Sequence, residues 1–292
     1  MHHLIRLDNY SKDDILEIFK IADEIGTGKY NNFLDKKTIL LFFSNSSVRT
    51  RISFEKGISL LGGQAVTFPP ETLDKREKLQ DLICYLNNWV DAAVIRHKNI
   101  EILNEVAKYA TFPIINALTD ENHPCEIISD LYALSKIRNH FCNDTYLFVG
   151  AKGNIGNSWK EASNIMGFSL TQCCPKGYEL DDVDVIYDLK TAMKGKDIIS
   201  TDSLTHGELH DFKKFQVSSE MMSYANSGAV LNPCPPFYRG EEVSSEVIES
   251  GYFVGYKFKK HLLEIQQAIL IFNMLYLELK TKPSSLPEND QI

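Results

Sequence analysis

The stretch Ser44-Asn45-Ser46-Ser47-Val48-Arg49-Thr50-Arg51 sets four hydroxyls and two arginines within eight residues. It follows the apolar run Leu40-Leu41-Phe42-Phe43 and precedes Phe54, Ile58 and Leu61 at helical spacing, so the implied order is strand, polar loop, helix. A helix that begins there offers unpaired N–H groups and the positive end of its dipole. Together with the hydroxyls and Arg49, these groups make a phosphate cradle. Charge-assisted hydrogen bonds contribute about 1.5–3 kcal/mol each, so three or four of them hold a dianion. The same residues also fit a plainer arrangement, in which Ser46 or Ser47 only caps the helix while Arg49 and Arg51 sit in solvent or salt bridges. Read alone, the stretch leaves both open.

His123-Pro124 opens another helix, with proline at its first position. An imidazole beside a helix N-terminus is disfavoured from taking up a proton, so it stays neutral and donates one N–H. An ordinary cap is the alternative. Gly150, Gly153 and Gly156 could form a dinucleotide-binding turn. That motif wants an acidic residue about 20 positions onward, at the end of the next strand, where this chain has Cys173-Cys174-Pro175. His206 and His210 have the i, i+4 spacing of a helical zinc pair, but Gly207 follows the first and no third ligand is evident, so no metal is expected.

These groups need elements to position them. The first half alternates an amphipathic helix (Asp13 to Ile25), a strand (Thr38 to Phe43), a helix (Val48 to Leu61), a strand (Ala65 to Phe68), a helix (Leu79 to Trp89), a strand (Ala92 to Ile95), a helix (Ile100 to Tyr109), a strand (Phe112 to Ile115) and a helix from His123-Pro124 to Ile137. After the polar boundary Arg138 to Asp144 the alternation restarts with strand Thr145 to Val149, helix Ile155 to Met166 and strand Phe168 to Cys173. Further strands are expected at Asp197 to Ser200 and Ala229 to Leu231, before a final helix from Lys260 to Leu279. Helices between short apolar strands mean right-handed crossovers and parallel sheets. The expected fold is α/β, with two doubly wound parallel-sheet domains and the active site in the cleft between them. Residues 1–137, completed by the C-terminal helix 260–280, form one domain and residues 138–259 the other. Ser44 to Arg51, Arg96-His97, Asn116, Gly150 to Asn154, Asp202 and Asn232 all fall just after apolar runs, at the strand ends where such sheets bind ligands.

The length of 292 residues favours two domains, and 43% hydrophobic with 24% charged residues is the composition of a soluble globular protein. A formal charge of −8 opposes binding to nucleic acid or anionic membrane, so any anion site must be a local cluster of arginine and lysine. No apolar stretch approaches a membrane span. Met1 to Arg6 lacks a secretory pattern and the polar tail after Lys280 reads as frayed, so a cytoplasmic location is expected. The six cysteines show no paired spacing and read as reduced.

The phrase Ser47-Val48-Arg49-Thr50-Arg51-Ile52-Ser53-Phe54-Glu55 resembles the carbamoyl phosphate motif of the aspartate/ornithine carbamoyltransferase family. Three further segments resemble that family in the same order. They are Ala92 to His97, His123-Pro124-Cys125-Glu126-Ile127-Ile128-Ser129-Asp130-Leu131, and Asn232-Pro233-Cys234-Pro235 with Tyr238 to Val243 beyond it. The resemblance implies that Ser47, Val48, Arg49, Thr50, Lys75, Arg96, His123, Glu126 and Cys234 bind carbamoyl phosphate. Arg96, His123 and Thr50 would direct donors at the carbonyl oxygen, the preorganised electrostatics that dominate such catalysis. No cofactor is needed. Lys75 lies where the family's mobile loop brings a lysine into a neighbouring subunit's site, which implies a homotrimer with shared active sites. As bare sequence, Asp74-Lys75-Arg76-Glu77-Lys78 is a solvated charge run.

Gly150 to Ser158 and Pro175 to Glu179 resemble the ornithine branch. Asn154 would then meet the backbone of the amino-acid substrate and Asp202 its α-ammonium, although a turn-forming aspartate reads the same way. Thr205-His206-Gly207 approximates the Ser-Met-Gly of ornithine enzymes. The function implied is carbamoyl transfer to an amino acid, ornithine first, giving citrulline and phosphate. Aspartate or another amine is an alternative acceptor. Val48 stands in place of a threonine, keeping only its backbone N–H; Glu126 stands in place of a glutamine, Asn232 of a histidine and Leu262 of an arginine. A catalytically impaired binding subunit is therefore a further alternative.

Overall fold

The computed structural model describes residues 2–281, and the polar tail beyond them lies outside the described residues. Helix α1 (Lys12–Ile25) begins at a reciprocal cap between Ser11 and Asp14 and buries Ile15, Ile18, Phe19, Ile21 and Ala22 along one face. Such spacing is what an amphipathic helix against a core requires. Then come β1 (Thr38–Phe42), α2 (Val48–Leu60), β2 (Gln64–Phe68), α3 (Leu79–Leu86), β3 (Ala92–Arg96), α4 (Ile100–Tyr109), β4 (Ile114–Leu118) and α5 (Pro124–Ile137). Their strands form one sheet in the order β2-β1-β3-β4, every pair parallel.

A second sheet follows. It is built from β5 (Thr145–Val149), α6 (Asn154–Met166), β6 (Ser169–Cys173), β7 (Asp184–Ile186), α7 (Leu189–Met193), β8 (Ile198–Thr201), the short α8 (Ser219–Met222), β9 (Val230–Pro233) and the short α9 (Ser245–Ile248). Its order is β7-β6-β5-β8-β9, again all parallel. The last helix, α10 (Leu262–Thr281), lies against α1, α2 and α5 of the first sheet. It fits closely: the Gln267 side chain donates to the Gly57 carbonyl at 2.9 Å, and a Cβ on Gly57 would stand 2.9 Å from Gln267 Cγ.

Two parallel α/β sheets are what the alternation of helix and strand predicts, but some elements differ. Strand β7 and helix α7 were not expected, because an Asp-Val-Ile edge strand of three residues carries no apolar run. Strand β4 sits later than its predicted range of Phe112 to Ile115. The cause is partly Pro113, which has no N–H to give a ladder, and partly the N-terminal segment, which pairs alongside. Leu4 N–H donates to Ile114 O and Asn116 N–H to Leu4 O. Asn116 is therefore not at a strand end facing a ligand. It is fully buried, and its amide donates to the Ile5 carbonyl at 2.8 Å, tying down the N-terminus.

What matters for function is where each sheet changes direction. After β1 the chain adds β2 on one side and β3 on the other, so the ends of β1 and β3 flank a crevice; β5 and β8 do the same in the second sheet. Such switch points are where open parallel sheets receive ligands.

Candidate active site

The loop after β1 makes a tight polar turn. Ser44 Oγ lies 3.0 Å from both Ser46 Oγ and Ser47 Oγ, and Ser47 precedes α2 without its side chain capping the helix. The first turn of α2 is thus left open. Arg51 N–H returns to the Ser47 carbonyl, whereas the N–H groups of Arg49 and Thr50 have no backbone acceptor among the described residues. Ser47 and Thr50 are buried, and Arg49 is exposed with no ion pair or hydrogen bond for its guanidinium among the described residues. The two arginines are separated by their environments. Arg51 pairs with Glu55 at 2.8 Å, and Glu55 in turn accepts from Thr67, so the plain salt-bridge reading holds for Arg51 and not for Arg49. Val48 departs from expectation, because its N–H donates to Ser46 O at 2.9 Å and its side chain is 58% exposed. The tight Ser46–Val48 turn consumes the N–H that was expected to face the phosphate.

Arg96 ends β3 beside this turn. The register of β3 on β4 shifts between Ile95 and Arg96, an irregularity of the kind that re-aims a side chain at a sheet rim. Arg96 is half-buried and has no carboxylate partner among the described residues. Burial, then repulsion by Arg49, lowers its pKa, against the pull of Glu126 and Cys234. His97, in contrast, is held by Asp74 at 3.1 Å and leans on Asn99.

His123 precedes α5 with its backbone N–H donating to Ser158 Oγ at 2.8 Å. Its ring is buried, Nδ1 has no partner among the described residues, and Nε2 stands 4.0 Å from Glu126. Burial lowers its pKa to about 4, aided by Arg96 and Lys259 and opposed by Glu126, so the imidazole is neutral at physiological pH. Neutrality was the sequence expectation, and here burial is its leading cause.

Glu126 and Asp130 lie one turn apart on α5, both buried, and Lys259 reaches each of them, at 2.7 and 2.6 Å. Burial raises the pKa of Glu126, but Lys259, His123 and Arg49 together outweigh it and hold the carboxylate low. For Asp130 burial wins, pushing it up to about 6 despite Lys259. Lys259 itself is raised, its desolvation overcome by the two carboxylates. Asn232, at the end of β9, donates to Asp130 at 2.8 Å, which accounts for this polar residue beneath the cleft. Lys259 was missed in the sequence. It sits in Lys257-Phe258-Lys259-Lys260-His261, which reads as a solvated basic run, and its only clue was that Glu126 and Asp130 needed a cation.

The second sheet faces the same cleft. Cys234 is buried; burial raises its thiol, and the fields of Glu126, Asp202, Lys259 and Asp130 all reach it. Asp202 follows β8 and accepts from Ser203 N–H at 2.8 Å. Burial pushes it up to about 7, with Glu242, Glu208 and Glu126 adding to the rise. Asn154 opens α6, and its amide donates to Thr119 O at 2.9 Å, joining the two sheets, while no hydrogen bond to its side-chain oxygen is made among the described residues. Thr205 and His206 are exposed, Thr205 N–H bonding Glu208, and no hydrogen bond or ion pair among the described residues joins them to Arg96 or His123. His206 and His210 fall in a turn, not on a helix. Lys75 follows the 3-10 turn Pro70–Asp74, is exposed, and has no ion-pair partner among the described residues.

The glycines after β5 have a packing explanation. A Cβ at Gly150 would stand 2.7 Å from the Phe148 ring, and one at Gly156 would stand 2.8 Å from that ring and 3.1 Å from Leu180. They let α6 press onto β5, and β6 ends in buried Cys173 with no acidic residue at its tip.

Comparison with known proteins agrees in both halves. The family described as aspartate/ornithine carbamoyltransferase, carbamoyl-P binding domain, matches residues 2–136, and its companion, the Asp/Orn binding domain, matches residues 143–273. An ornithine carbamoyltransferase from Desulfotalea psychrophila is 32% identical over 295 residues, covering 92% of this chain and 97% of that protein. A chloroplastic one from Pisum sativum is 31% identical, covering 91% of this chain and 79% of that protein. Among solved structures, the ornithine carbamoyltransferase of Burkholderia thailandensis superposes with a TM-score of 0.87 at 31% identity, covering 94% of this chain and 99% of its own. That of Pyrococcus furiosus gives 0.88 at 28% identity, covering 94% and 97%.

Proposed function

The chain belongs to the aspartate/ornithine carbamoyltransferase family, and from that premise we propose that it transfers the carbamoyl group of carbamoyl phosphate to the side-chain amine of ornithine, giving citrulline and phosphate. The observation that carries this reading is a pair of neighbouring arginines, Arg49 and Arg96, neither paired with a carboxylate among the described residues, in a chain of formal charge −8. Like charges left side by side on a protein rich in carboxylates imply an anionic ligand that neutralises both.

Each group then has a task. The N–H groups of Arg49 and Thr50, the hydroxyls of Ser47 and Thr50 and the Arg49 guanidinium receive the phosphate. Arg96 and neutral His123 donate to the carbonyl oxygen, where charge builds as the amine attacks. The C–N bond forms, the C–O bond to phosphate breaks, and the nitrogen sheds one proton, the departing phosphate being the nearest base. Asp202 receives the α-ammonium, and the Asn154 oxygen faces the backbone of the amino acid.

The same proposal makes the chain a cytoplasmic homotrimer, with the free Lys75 of one protomer completing a neighbour's site. It also assigns residues 1–137 with helix 260–280 to carbamoyl phosphate and residues 138–259 to the amino acid; the seating of α10 on α1, α2 and α5 supports that division. The test is a colorimetric assay for ureido product from carbamoyl phosphate with a panel of amines. Citrulline from ornithine is expected. Turnover of a different amine moves the acceptor, and phosphate binding without any turnover indicates a disabled binding subunit.

A further inference from the structure

Two acidic side chains lie buried on the side of the cleft that must hold a dianion. Glu126 and Asp130 are one turn apart on α5, and a carboxylate in that position should repel carbamoyl phosphate. Both are met by Lys259, which arrives from the 3-10 turn Tyr256–His261 just before α10. The lysine binds Oε1 of Glu126, whereas Oε2 makes no hydrogen bond among the described residues and lies 4.0 Å from the His123 ring. One carboxylate oxygen is therefore committed to the ammonium and the other is left facing the reacting centre.

We infer that Lys259 is a positioning residue for the acyl phosphate, neutralising Glu126 so that its free oxygen can accept the carbamoyl NH2 without repelling the phosphate. This rests on the carbamoyl phosphate reading and deepens it. With Lys259 present, Arg49, Arg96 and Lys259 stand against Glu126 and Asp130, and the pocket keeps a net positive charge. Without it, two cations face two carboxylates, and the helix N–H groups and hydroxyls must hold the dianion with no excess of positive side-chain charge.

The test compares Lys259→Met, Glu126→Gln and the double variant with the wild type, reading separate KM values for carbamoyl phosphate and the amine alongside melting temperature. Lys259→Met is expected to raise KM for carbamoyl phosphate at least tenfold while changing that for the amine less than threefold. Glu126→Gln in that background should recover most of the loss, and alone it should lower KM for carbamoyl phosphate severalfold by removing one carboxylate from the pocket while Lys259 stays paired with Asp130. A double variant no better than Lys259→Met, or equal effects on both substrates, overturns the inference and leaves a purely structural ion cluster. If Lys259→Met does not fold, Glu126→Gln alone decides, and an unchanged or higher KM for carbamoyl phosphate overturns it. If the wild type forms no ureido product, the activity reading fails on its own. Calorimetric titration of carbamoyl phosphate into the same proteins then reads the pair, with the same order of affinities expected and the absence of rescue overturning it.

Discussion

On the side of the first sheet, Ser47, Thr50, His123 and Glu126 are buried and fixed by helix starts, and His123 Nδ1 has no hydrogen-bond partner among the described residues. On the side of the second sheet, Cys234 is buried and Asp202 half-buried, but Thr205 and His206 stand on an exposed turn, where Thr205 N–H bonds Glu208. One wall is fixed by packed helix starts, and the other is a firm floor with a loose rim. Rate enhancement by preorganised dipoles requires the first. Choice among amines is compatible with the second, because loops tolerate change that packed helix starts do not.

The comparison can be broken most decisively at Arg49. Arg49→Ala removes two or more charge-assisted bonds and should lower kcat/KM for carbamoyl phosphate by about a hundredfold or more. Near-normal affinity at moderate salt, measured by calorimetry, would show that the first wall is not a cradle.

A smaller effect is expected at Asp202. Asp202→Asn should raise KM for the amine by roughly tenfold to thirtyfold and leave that for carbamoyl phosphate within about threefold, the loss of one charged hydrogen bond. The sign of its pH dependence follows from a pKa raised to about 7, since only the ionised form attracts an ammonium. In the wild type, amine affinity should rise about tenfold between about pH 6 and pH 8 as the carboxylate ionises, and the rise should vanish in the variant. Because the folded state holds this proton more tightly than the unfolded chain, the same group removes stability as pH climbs from about 4 through about 7. Asp202→Asn should flatten that slope in denaturant titrations; an unaltered slope would mean that Asp202 is not the group responsible.

The firm floor is tested at Gly156, where a methyl group would meet the Phe148 ring and Leu180. Gly156→Ala should destabilise by about 1–3 kcal/mol through overpacking, read from chemical unfolding. A neutral result would mean that the α6 start is as adaptable as the rim. His206→Ala should do least, raising KM for the amine by no more than about fivefold. A larger loss would show that the exposed turn closes on the substrate.

Much of this was readable from residue order. Strand, polar loop and helix around Ser44 to Arg51 were legible because they depend on neighbours a few positions apart, with an anion cradle as one of two readings; a neutral His123 was expected from the helix start, although burial is its leading cause. The reading failed where partners are distant. Asn116 was placed at a strand tip because nothing local signals that Leu4 pairs beside Ile115. Val48 was credited with a free N–H for a different reason: its partner is local, but the Ser46–Val48 turn is a backbone geometry no side chain announces. Lys259 went unnoticed in a basic run because its carboxylates lie on α5, 133 and 129 positions earlier.

The chain's own order determined two parallel α/β sheets and the chemical types gathered at their strand ends, since periodicity and helix starts are local properties. Which arginine is free, which glutamate is neutralised and which aspartate keeps its proton near neutrality were decided only in three dimensions. Charge pairing and desolvation depend on what surrounds a group in space, and residues far apart in the chain become those surroundings only when the two sheets and α10 come together.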